Sequence, residues 1–406
     1  MAPESEDGGD DYVDDLVQQR VTHPELPPKD KFFAWHKPRK HWIRRNQWQA
    51  EAAALIKALN LSAKRRPLSY LSLPGPDMLD VRTMQQVCSA SGADLRFVGF
   101  MDGGLSDQTE LNISLDEVMR LDGIDQESTV ILDPLQSLAD PNSVGYARAM
   151  GAASFDIVNI DLCNSIGAAP PLDKQAGCYE AIRQILDLQR RRRPAEEPWI
   201  LFLTTRANHV QVHVEARAKF FDCLLRNARD HAEVDQAIRS GLNLDQATLA
   251  AMQEGAIQDD TEFENAFAAA VSKWLLQMLG SSPPAGTLEL LPSSCTYSVR
   301  VPGSRDMLSL GFLCQTIHAP SHDAAGLAAP AQPAQFPTEP QAAAAIIRLV
   351  PQLAHVDAIL ADPVHYDAIT VEASELMRSA RFDAAKYIEW ARASKERQAV
   401  PAAVVT

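Results

Sequence analysis

The sequence predicts an α/β protein with a mostly parallel, doubly wound β-sheet, and three observations support this prediction. Short apolar segments with strand character alternate with helical segments between residues 68 and 204. Several of the apolar segments contain almost no polar residue, as expected for parallel strands that helices cover on both faces. Two more strand-like segments, separated by the turn sequence PGSRD, follow near residue 300 and predict an antiparallel hairpin at one edge of the sheet.

The predicted elements follow one another in a regular order. An amphipathic helix covers residues 46–60, with Asn46 as its N-cap. Five parallel strands are predicted at residues 68–73, 95–100, 128–132, 156–161 and 199–204. The helices between them are predicted at residues 77–90, 115–122, 142–150 and 176–192. A helical insertion at about 214–280 comes next, and hairpin strands at 295–301 and 307–317 complete a seven-stranded sheet.

The two ends of the chain differ in composition from the predicted α/β domain, which spans residues 46–317. Residues 1–28 are rich in acidic and turn-forming residues and predict a disordered tail. Residues 29–45 form a basic, aromatic arm. Residues 318–341 are an Ala/Pro-rich linker, and residues 342–406 predict a C-terminal helical segment.

The overall composition excludes several classes of protein. The formal net charge of the 406-residue chain is -15, which argues against a general polyanion binder. The six cysteines form no CxxC pair, so neither a structural zinc site nor a disulfide framework is expected, and no metal site is predicted. The acidic N-terminus lacks the apolar core of a signal peptide, and no apolar stretch is long enough to cross a membrane. We therefore expect a cytoplasmic protein without a membrane partner.

The segment after the first predicted strand raises the question of a cofactor loop. The sequence SYLSLPGPDMLD contains a strand, a turn centred on Gly75 and the start of a helix. Strand, glycine-rich turn and helix in this order hold nucleotide cofactors in many proteins, but prolines flank Gly75 and remove two N–H donors. Asp77 is placed to cap the following helix, whose N-terminus can hold a carboxylate.

The fourth predicted strand ends in an acidic residue followed by other polar side chains. The segment reads FDIVNIDLCNSIG, so Asp161 stands at the carboxyl end of the strand, with Cys163 and Asn164 just after it. Ligands of open α/β sheets bind at this edge. Two readings of Cys163 remain open, a nucleophile for attack on a pyrimidine base and a buried thiol.

This order of five parallel strands, helical insertion and closing hairpin resembles the class I S-adenosylmethionine-dependent methyltransferases, which share a Rossmann fold. The resemblance covers about residues 46–317 and is greatest to bacterial proteins of the three-Cys-motif-partner type. It implies that S-adenosylmethionine binds near Gly75 and Asp77, that Asp102 holds the ribose hydroxyls and that Asp133 contacts the adenine amino group. It also implies chemistry near Asp161, Cys163 and Asn164.

Two sequence features depart from the pattern of these methyltransferases. Proline stands in the first loop where the family has an acidic residue and a second glycine. The segment DLCN lacks the two prolines and the aromatic residue that hold the target amine in amino-methyltransferases. Two functions therefore remain open: an active methyltransferase, and a methyltransferase-like subunit without catalysis that serves a larger protein assembly, for example in bacterial defence.

The basic, aromatic arm has the composition of a single-stranded nucleic-acid contact, because cations suit phosphates and flat rings suit bases. The candidate contact residues are Lys37, Arg39, Lys40, Trp42, Arg44 and Arg45. The alternative is that the arm docks on its own domain or on a protein partner.

Three further groups of polar residues receive weaker predictions. Arg190 to Arg193 are expected to form a solvated helix end. Arg206 or Asn208 is expected to line the cleft. His209 and His213 have a spacing that suits a metal, but no third ligand is visible in the sequence.

Overall fold

A computed structural model describes residues 26–102, 108–169, 177–194, 196–299, 305–317 and 336–399 of the chain. Most of the predicted acidic tail and of the predicted linker lies outside these residues. The described part contains a mixed α/β arrangement with a largely parallel central sheet, which confirms the predicted α/β class. The likeness of the sheet to that of class I methyltransferases stays a prediction. None of its helices combines the length and the apolar character that crossing a membrane requires.

The central sheet has nine strands in the described part of the chain, two more than predicted. Their bounds are β1 Leu68–Ser72, β2 Leu95–Phe100, β3 Thr129–Ile131, β4 Ile157–Asp161, β5 Trp199–Arg206, β6 Ala285–Leu290, β7 Cys295–Tyr297, β8 Met307–Ile317 and β9 Ala354–His355. The first five strands are parallel and lie in the order β3-β2-β1-β4-β5. Their carboxyl ends consequently share one edge of the sheet.

The long strand β8 continues the sheet beyond β5 and runs antiparallel to it. Two short strands cover the far side of β8: β7 pairs with its first part and β6 pairs with its second part. The strands β6 and β9 are the two that the sequence reading missed. Neither strand belongs to the alternating βαβ pattern. Pro283-Pro284 precedes β6, and β9 has only two residues, which is too short to give a strand pattern in the sequence.

Helices surround the sheet and extend both ends of the chain. In chain order they are α1 Pro38–Ile43, α2 Ala50–Leu59, α3 Leu61–Lys64, α4 Leu79–Ala90, α5 Gln108–Met119, α6 Val144–Gly151, α7 Cys178–Arg192, α8 Val214–Asp230, α9 Ala232–Ala237, α10 Gln246–Glu254, α11 Asp260–Gly280, α12 Glu339–Leu349, α13 Val356–Ile359, α14 Pro363–Ser379 and α15 Ala384–Ala399. A π-helical segment, Arg44–Gln49, joins α1 to α2. The helix predicted to begin at Asn46 therefore begins at Pro38, a residue favoured at the first helical position.

Side chains of each strand alternate between two hydrophobic cores, one on each face of the sheet. Leu71 and Val158 join the core formed with α7, the helical insertion and α12. Tyr70 and Ile157, one position away on the same strands, join the core formed with α1, α2 and α4. This two-sided burial explains why the central strands are apolar almost throughout.

The amino ends of the parallel strands are closed by a buried ion cluster. The carboxylate of Asp156, just before β4, lies 2.7 Å from Nη1 of Arg193, and both side chains are fully buried. Arg66 donates to the same carboxylate over 3.1 and 3.3 Å. Arg190 is also buried and donates to the backbone oxygens of Ser282 and Pro284. The prediction of a solvated arginine run is therefore wrong for Arg190 and Arg193.

A third core fastens the N-terminal arm to the C-terminal helices. Phe32 packs against Phe382, Tyr387 and Trp390, with ring centroids 5.2–5.6 Å apart. The backbone of Lys29 exchanges hydrogen bonds with Arg381 and Asp383 over 2.8 and 2.9 Å. The arm is thus held on the domain by residues more than 300 positions away in the chain.

Candidate functional site

The carboxyl ends of β1, β2, β3 and β4 surround a cavity of about 680 Å³, which we call the large cavity. It lies at the edge of the sheet where ligands of open α/β folds bind. Its walls include Leu73, Pro74, Gly75, Phe100, Asp102, Leu135, Gln136, Asp161, Cys163, Asn164 and Tyr179. The large cavity therefore brings together Gly75 and Asp102, which were predicted to bind the cofactor, with Asp161, Cys163 and Asn164, which were predicted for catalysis.

The loop after β1 leaves open space at Gly75. A Cβ atom added to this glycine would meet no other atom within 4 Å, so a larger side chain would extend into the open space beside the loop. Pro74 is packed instead: a Cβ atom on Gly99 of β2 would lie 2.7 Å from its Cγ. The missing side chain of Gly99 thus makes room for Pro74, whereas the missing side chain of Gly75 leaves open space next to the loop.

The acidic residues predicted to hold the cofactor occupy different environments. Asp102 is exposed and lines the large cavity. Asp133 does not line it, and its Oδ2 accepts a hydrogen bond of 3.2 Å from the backbone N–H of Gly145 in the first turn of α6. Asp133 therefore anchors a helix N-terminus, where a carboxylate is stabilised by the helix dipole.

Asp77 is buried away from the large cavity and does not cap the following helix. Met78 occupies the N-cap position of α4, with no side-chain cap. The Asp77 carboxylate instead accepts hydrogen bonds of 2.7 Å from Lys29 Nζ and 3.1 Å from His36 Nε2. Burial acts to raise the pKa of Asp77, but these two partners hold it below its ordinary value. The contacts tie the N-terminal arm to the first loop of the sheet.

A second cavity of about 200 Å³, which we call the small cavity, lies beside the first. The N-terminal arm and the hairpin β7–β8 form most of its walls, which comprise Ala34, Trp35, Lys37, Arg39, Lys40, Asp161, Leu162, Cys163, Arg206, Tyr297, Ser298, Val299 and Met307. Asp161, Leu162 and Cys163 line both cavities. The end of β4 is therefore the boundary between them.

Lys40 of the arm holds the carboxylate of Asp161. Its Nζ atom lies 2.7 Å from Asp161 Oδ1, and its side chain is almost fully buried. The same ammonium group lies 4.8 Å from the ring centroid of Trp48 and 5.9 Å from that of Tyr297. Ring faces and a carboxylate both stabilise a buried cation, so Lys40 fixes Asp161 at the boundary of the two cavities.

Cys163 has the surroundings of an unreactive thiol. Although the residue as a whole is exposed, desolvation around its sulfur raises its pKa, and the charge of Asp161 adds to the rise. A catalytic cysteine needs the opposite, because the thiolate is the nucleophile. The structure places Cys163 in the cavity walls, where the charges of Lys40 and Arg206 favour its thiolate but do not offset the effect of burial and of Asp161 on its pKa.

Most of the arm cations predicted to contact nucleic acid have partners within the chain. Arg39 donates to the backbone oxygen of Ser298 and lies 3.0 Å from Asp357. Arg44 is buried and donates to the backbone oxygen of Trp35 over 3.3 Å. Arg45 is half exposed and pairs with Glu372, and Trp42 is half-buried. These contacts agree with the alternative in which the arm docks on its own domain. Nucleic-acid binding by the arm stays a prediction.

The residues that follow β5 have separate roles. Arg206 lines the small cavity, and its Nε donates to the backbone oxygen of Cys163 over 2.8 Å. Asn208 accepts a hydrogen bond from the backbone N–H of Val210 and caps a short helical turn. His209 contacts Asp260 over 2.7 Å. Within the described ranges, no three His, Cys, Asp or Glu side chains lie close enough together to hold a metal ion.

The residues of the candidate site that sequence reasoning missed include Tyr297 and Met307 in the small cavity and Tyr179 in the large one. Tyr297 and Met307 face each other in the antiparallel pairing of β7 and β8. The predicted hairpin indicated that they would pair, but no sequence signal showed that the N-terminal arm would pack over them.

Comparisons with known proteins give a family but no activity. Among solved structures, the chain is similar to one described as StiE O-MT residues 961–1257, with 10% identity, a TM-score of 0.28, and coverage of 75% of this chain and 81% of that one. It is also similar to a crystal structure of a mutant of MtNAS, with 10% identity, a TM-score of 0.23 and 69% coverage of each chain. TM-scores this low do not support a conclusion about the fold or the activity of the chain.

No curated protein matches the chain. The predicted likeness to three-Cys-motif-partner proteins stays a prediction. A family model matches residues 29–392, which include the arm, the sheet and the C-terminal helices. Because the match covers most of the sequence, the chain belongs to the family described as PP_RS20740-like.

Proposed function

We propose that this chain is an S-adenosylmethionine-dependent methyltransferase, with the cofactor in the large cavity and the methyl acceptor in the small cavity. The observation that carries the proposal is the position of Asp161. It ends the central strand β4, lines both cavities and is held by a buried lysine. A shared boundary of this kind suits a transfer between two bound molecules, because the reaction depends on holding them next to each other.

The residues of the large cavity fit the cofactor in size and in chemistry. Its volume of about 680 Å³ lies in the range of small-molecule sites, about 300–1,000 Å³. Asp102 offers a carboxylate for hydroxyl groups, and Phe100 and Leu135 offer apolar walls for a flat base. Gly75 leaves space for close approach to the backbone. When bound, S-adenosylmethionine would supply a methyl group from its positively charged sulfur to a lone pair of the acceptor atom, and it would leave as the neutral thioether.

The chain's own contribution lies in placement and in charge. The Asp161 carboxylate faces the space where an acceptor would lose a proton, and a carboxylate within hydrogen-bond reach is a suitable proton acceptor. Lys40 keeps that carboxylate in position over 2.7 Å. The N-terminal arm closes the small cavity on one side, which limits the access of water to the reacting groups.

A second candidate is a methyltransferase-like subunit without catalysis. The observation that favours it is the loop around Gly75, where the flanking Pro74 and Pro76 lack N–H donors. The two candidates differ in one measurable property, which is the binding of the cofactor.

Calorimetric titration of the full chain with S-adenosylmethionine tests the proposal. We expect saturable binding, and we expect Asp102→Asn to weaken it about tenfold, because a hydrogen bond to a charged group is lost. Asp133→Asn is the matched control, since Asp133 contacts Gly145 and does not line the cavity. Absence of heat at high micromolar ligand, with the protein folded, would rule out the enzyme. A larger effect of Asp133→Asn would show that the cofactor lies elsewhere.

A further inference from the structure

We infer that the small cavity selects a planar, single-ring acceptor that carries an acidic group. The inference rests on the proposed function in so far as it identifies the occupant as the acceptor. Three features of the cavity carry it: its size, its aromatic walls and the sign of the charges around it.

The size of the cavity suits a small molecule better than a polymer. A cavity of about 150 Å³ accommodates benzene, and the small cavity measures about 200 Å³. One substituted ring therefore fills it. The arm residues Arg39 and Arg44, which a nucleic-acid strand would need on the surface, are buried and turned toward Asp357 and Trp35.

Two aromatic side chains, Trp35 and Tyr297, form part of its wall. Tyr297 is buried and also faces Lys40, whereas Trp35 is 44% exposed at the side of the arm. Trp35 stacks on Phe33, with ring centroids 4.6 Å apart and planes 9° apart. Two exposed, stacked rings beside an apolar cavity offer a flat surface on which a planar ligand can stack. The remaining apolar wall comes from Ala34, Leu162, Val299 and Met307.

The charges around the cavity favour an anion. Four cations line it, Lys37, Arg39, Lys40 and Arg206, against the single carboxylate of Asp161. The next carboxylates are Asp357, 3.0 Å from Arg39, and Asp306, whose contact with Arg206 Nη1 is long at 3.9 Å. Positive groups thus outnumber negative ones in this region, although the whole chain has a formal charge of -15. A cation in a partly buried site attracts an anion far more than a solvated cation does.

Arg206 is the residue best placed to recognise the acidic group. Its Nε already donates to the backbone oxygen of Cys163, which fixes the guanidinium in the wall of the small cavity, beside a residue that lines both cavities. Its side chain is only 11% exposed, so a hydrogen bond to a ligand carboxylate would form in a largely dehydrated site. Lys40, by contrast, is engaged by Asp161.

Three matched compounds test the inference by calorimetry with the full chain. We expect 4-hydroxybenzoate to bind at least tenfold more tightly than 4-hydroxybenzamide, which is planar but neutral. We expect a similar preference over 4-hydroxycyclohexanecarboxylate, which is charged but not planar. Arg206→Gln should remove the preference for the acid and leave the affinity for the amide unchanged. Trp35→Ala should weaken both planar compounds and leave the cyclohexane acid unchanged.

The outcomes separate this inference from the proposed function. Equal affinity for the acid and the amide, or no binding of any compound by a chain that binds S-adenosylmethionine, would overturn the inference alone. Binding of 4-hydroxybenzoate by a chain that does not bind S-adenosylmethionine would overturn the methyltransferase proposal and support a site for a planar acid. A thermal melt of each variant shows whether a loss of binding reflects unfolding.

Discussion

The two ends of strand β4 carry the same residue type in opposite settings. Asp156, at the amino end, is fully buried and is bound by Arg193 and Arg66. Asp161, at the carboxyl end, keeps 28% of its side-chain surface exposed and is bound by Lys40 alone among the described residues. One end of the sheet is thus closed by a saturated ion cluster, whereas the other opens onto two cavities.

This difference shows how an aspartate that supports the fold is distinguished from one that is available to a ligand. The buried carboxylate has its oxygens occupied by guanidinium and backbone donors, including the backbone N–H of Ser69 at 2.8 Å. Such a group cannot accept a ligand without losing a partner that it needs. Asp161 keeps part of its surface free, and both cavities reach it.

The largest expected effect comes from removing the charge at the closed end. Asp156→Asn should lower the free energy of unfolding by about 3–5 kcal/mol, because it leaves the buried Arg193 with only the longer contact to Glu197, at 3.6 Å, as a counter-charge. Asp161→Asn is the matched change at the open end and should cost less, about 1–2 kcal/mol, because this side chain is 28% exposed to solvent and Lys40 keeps the ring faces of Trp48 and Tyr297 as partners. Urea unfolding at pH 7 measures both. Equal losses would contradict the assignment of different roles to the two ends.

A medium effect is expected from side chains added to the glycines around the first loop. Gly99→Ala should destabilise the protein by about 1–3 kcal/mol, because its Cβ would overlap Pro74. Gly75→Leu should change the stability by less than about 0.5 kcal/mol, because its side chain enters open space. The same variant should weaken S-adenosylmethionine binding at least tenfold. Unchanged cofactor affinity in Gly75→Leu would show that the open end of the sheet holds its ligand elsewhere.

The smallest expected effect concerns the contact that holds the arm over the open end. His41, whose Nε2 lies 3.7 Å from the carboxylate, and the ion pair with Arg45 lower the pKa of Glu372 from its ordinary 4.5 to about 2. A lowered carboxyl pKa stabilises the fold above pH 4.5, and this stabilisation is lost as the pH falls toward 2. Since Glu372 is about one-third exposed, screening by solvent keeps the contribution near or below about 1 kcal/mol.

Urea unfolding of Glu372→Gln tests this contact. The variant should be less stable than the unaltered chain at pH 7, and the difference should shrink as the pH falls below 4.5. Glu375→Gln is the control, because Glu375 lies on the same helix and, among the described residues, pairs only with the exposed Arg378. A difference for Glu372→Gln that does not change with pH would show that the ion pair does not hold the arm.

The sequence predicted the core of the fold well because local patterns encode it. The five parallel strands lie close to their predicted positions, and helix α8 begins at Val214, where the helical insertion was predicted to begin. Apolar runs, turns and amphipathic periods are properties of neighbouring residues, so they can be read in order along the chain. The strands β6 and β9 were missed because their stability comes from pairing with β8 and β7, which a local pattern does not reveal.

The candidate site was predicted only in part, for the same physical reason. Gly75, Asp102 and Asp161 follow strands, so topology brings them to one edge of the sheet. Asp133 follows a strand too, but the adjacent start of α6 takes up its carboxylate. The basic arm was assigned to nucleic acid from its composition, whereas its burial depends on acids such as Asp357 and Glu372, far along the chain.

The sequence by itself determined the alternation of strands and helices and the placement of Asp161 at the end of β4, because both depend on the order of neighbouring residues. Only the tertiary structure decided that Lys40 and Asp161, 121 positions apart, form one ion pair between two cavities. The burial of a cation is favourable only when a distant carboxylate and ring faces surround it. Composition shows that such charges exist, and packing decides which of them meet.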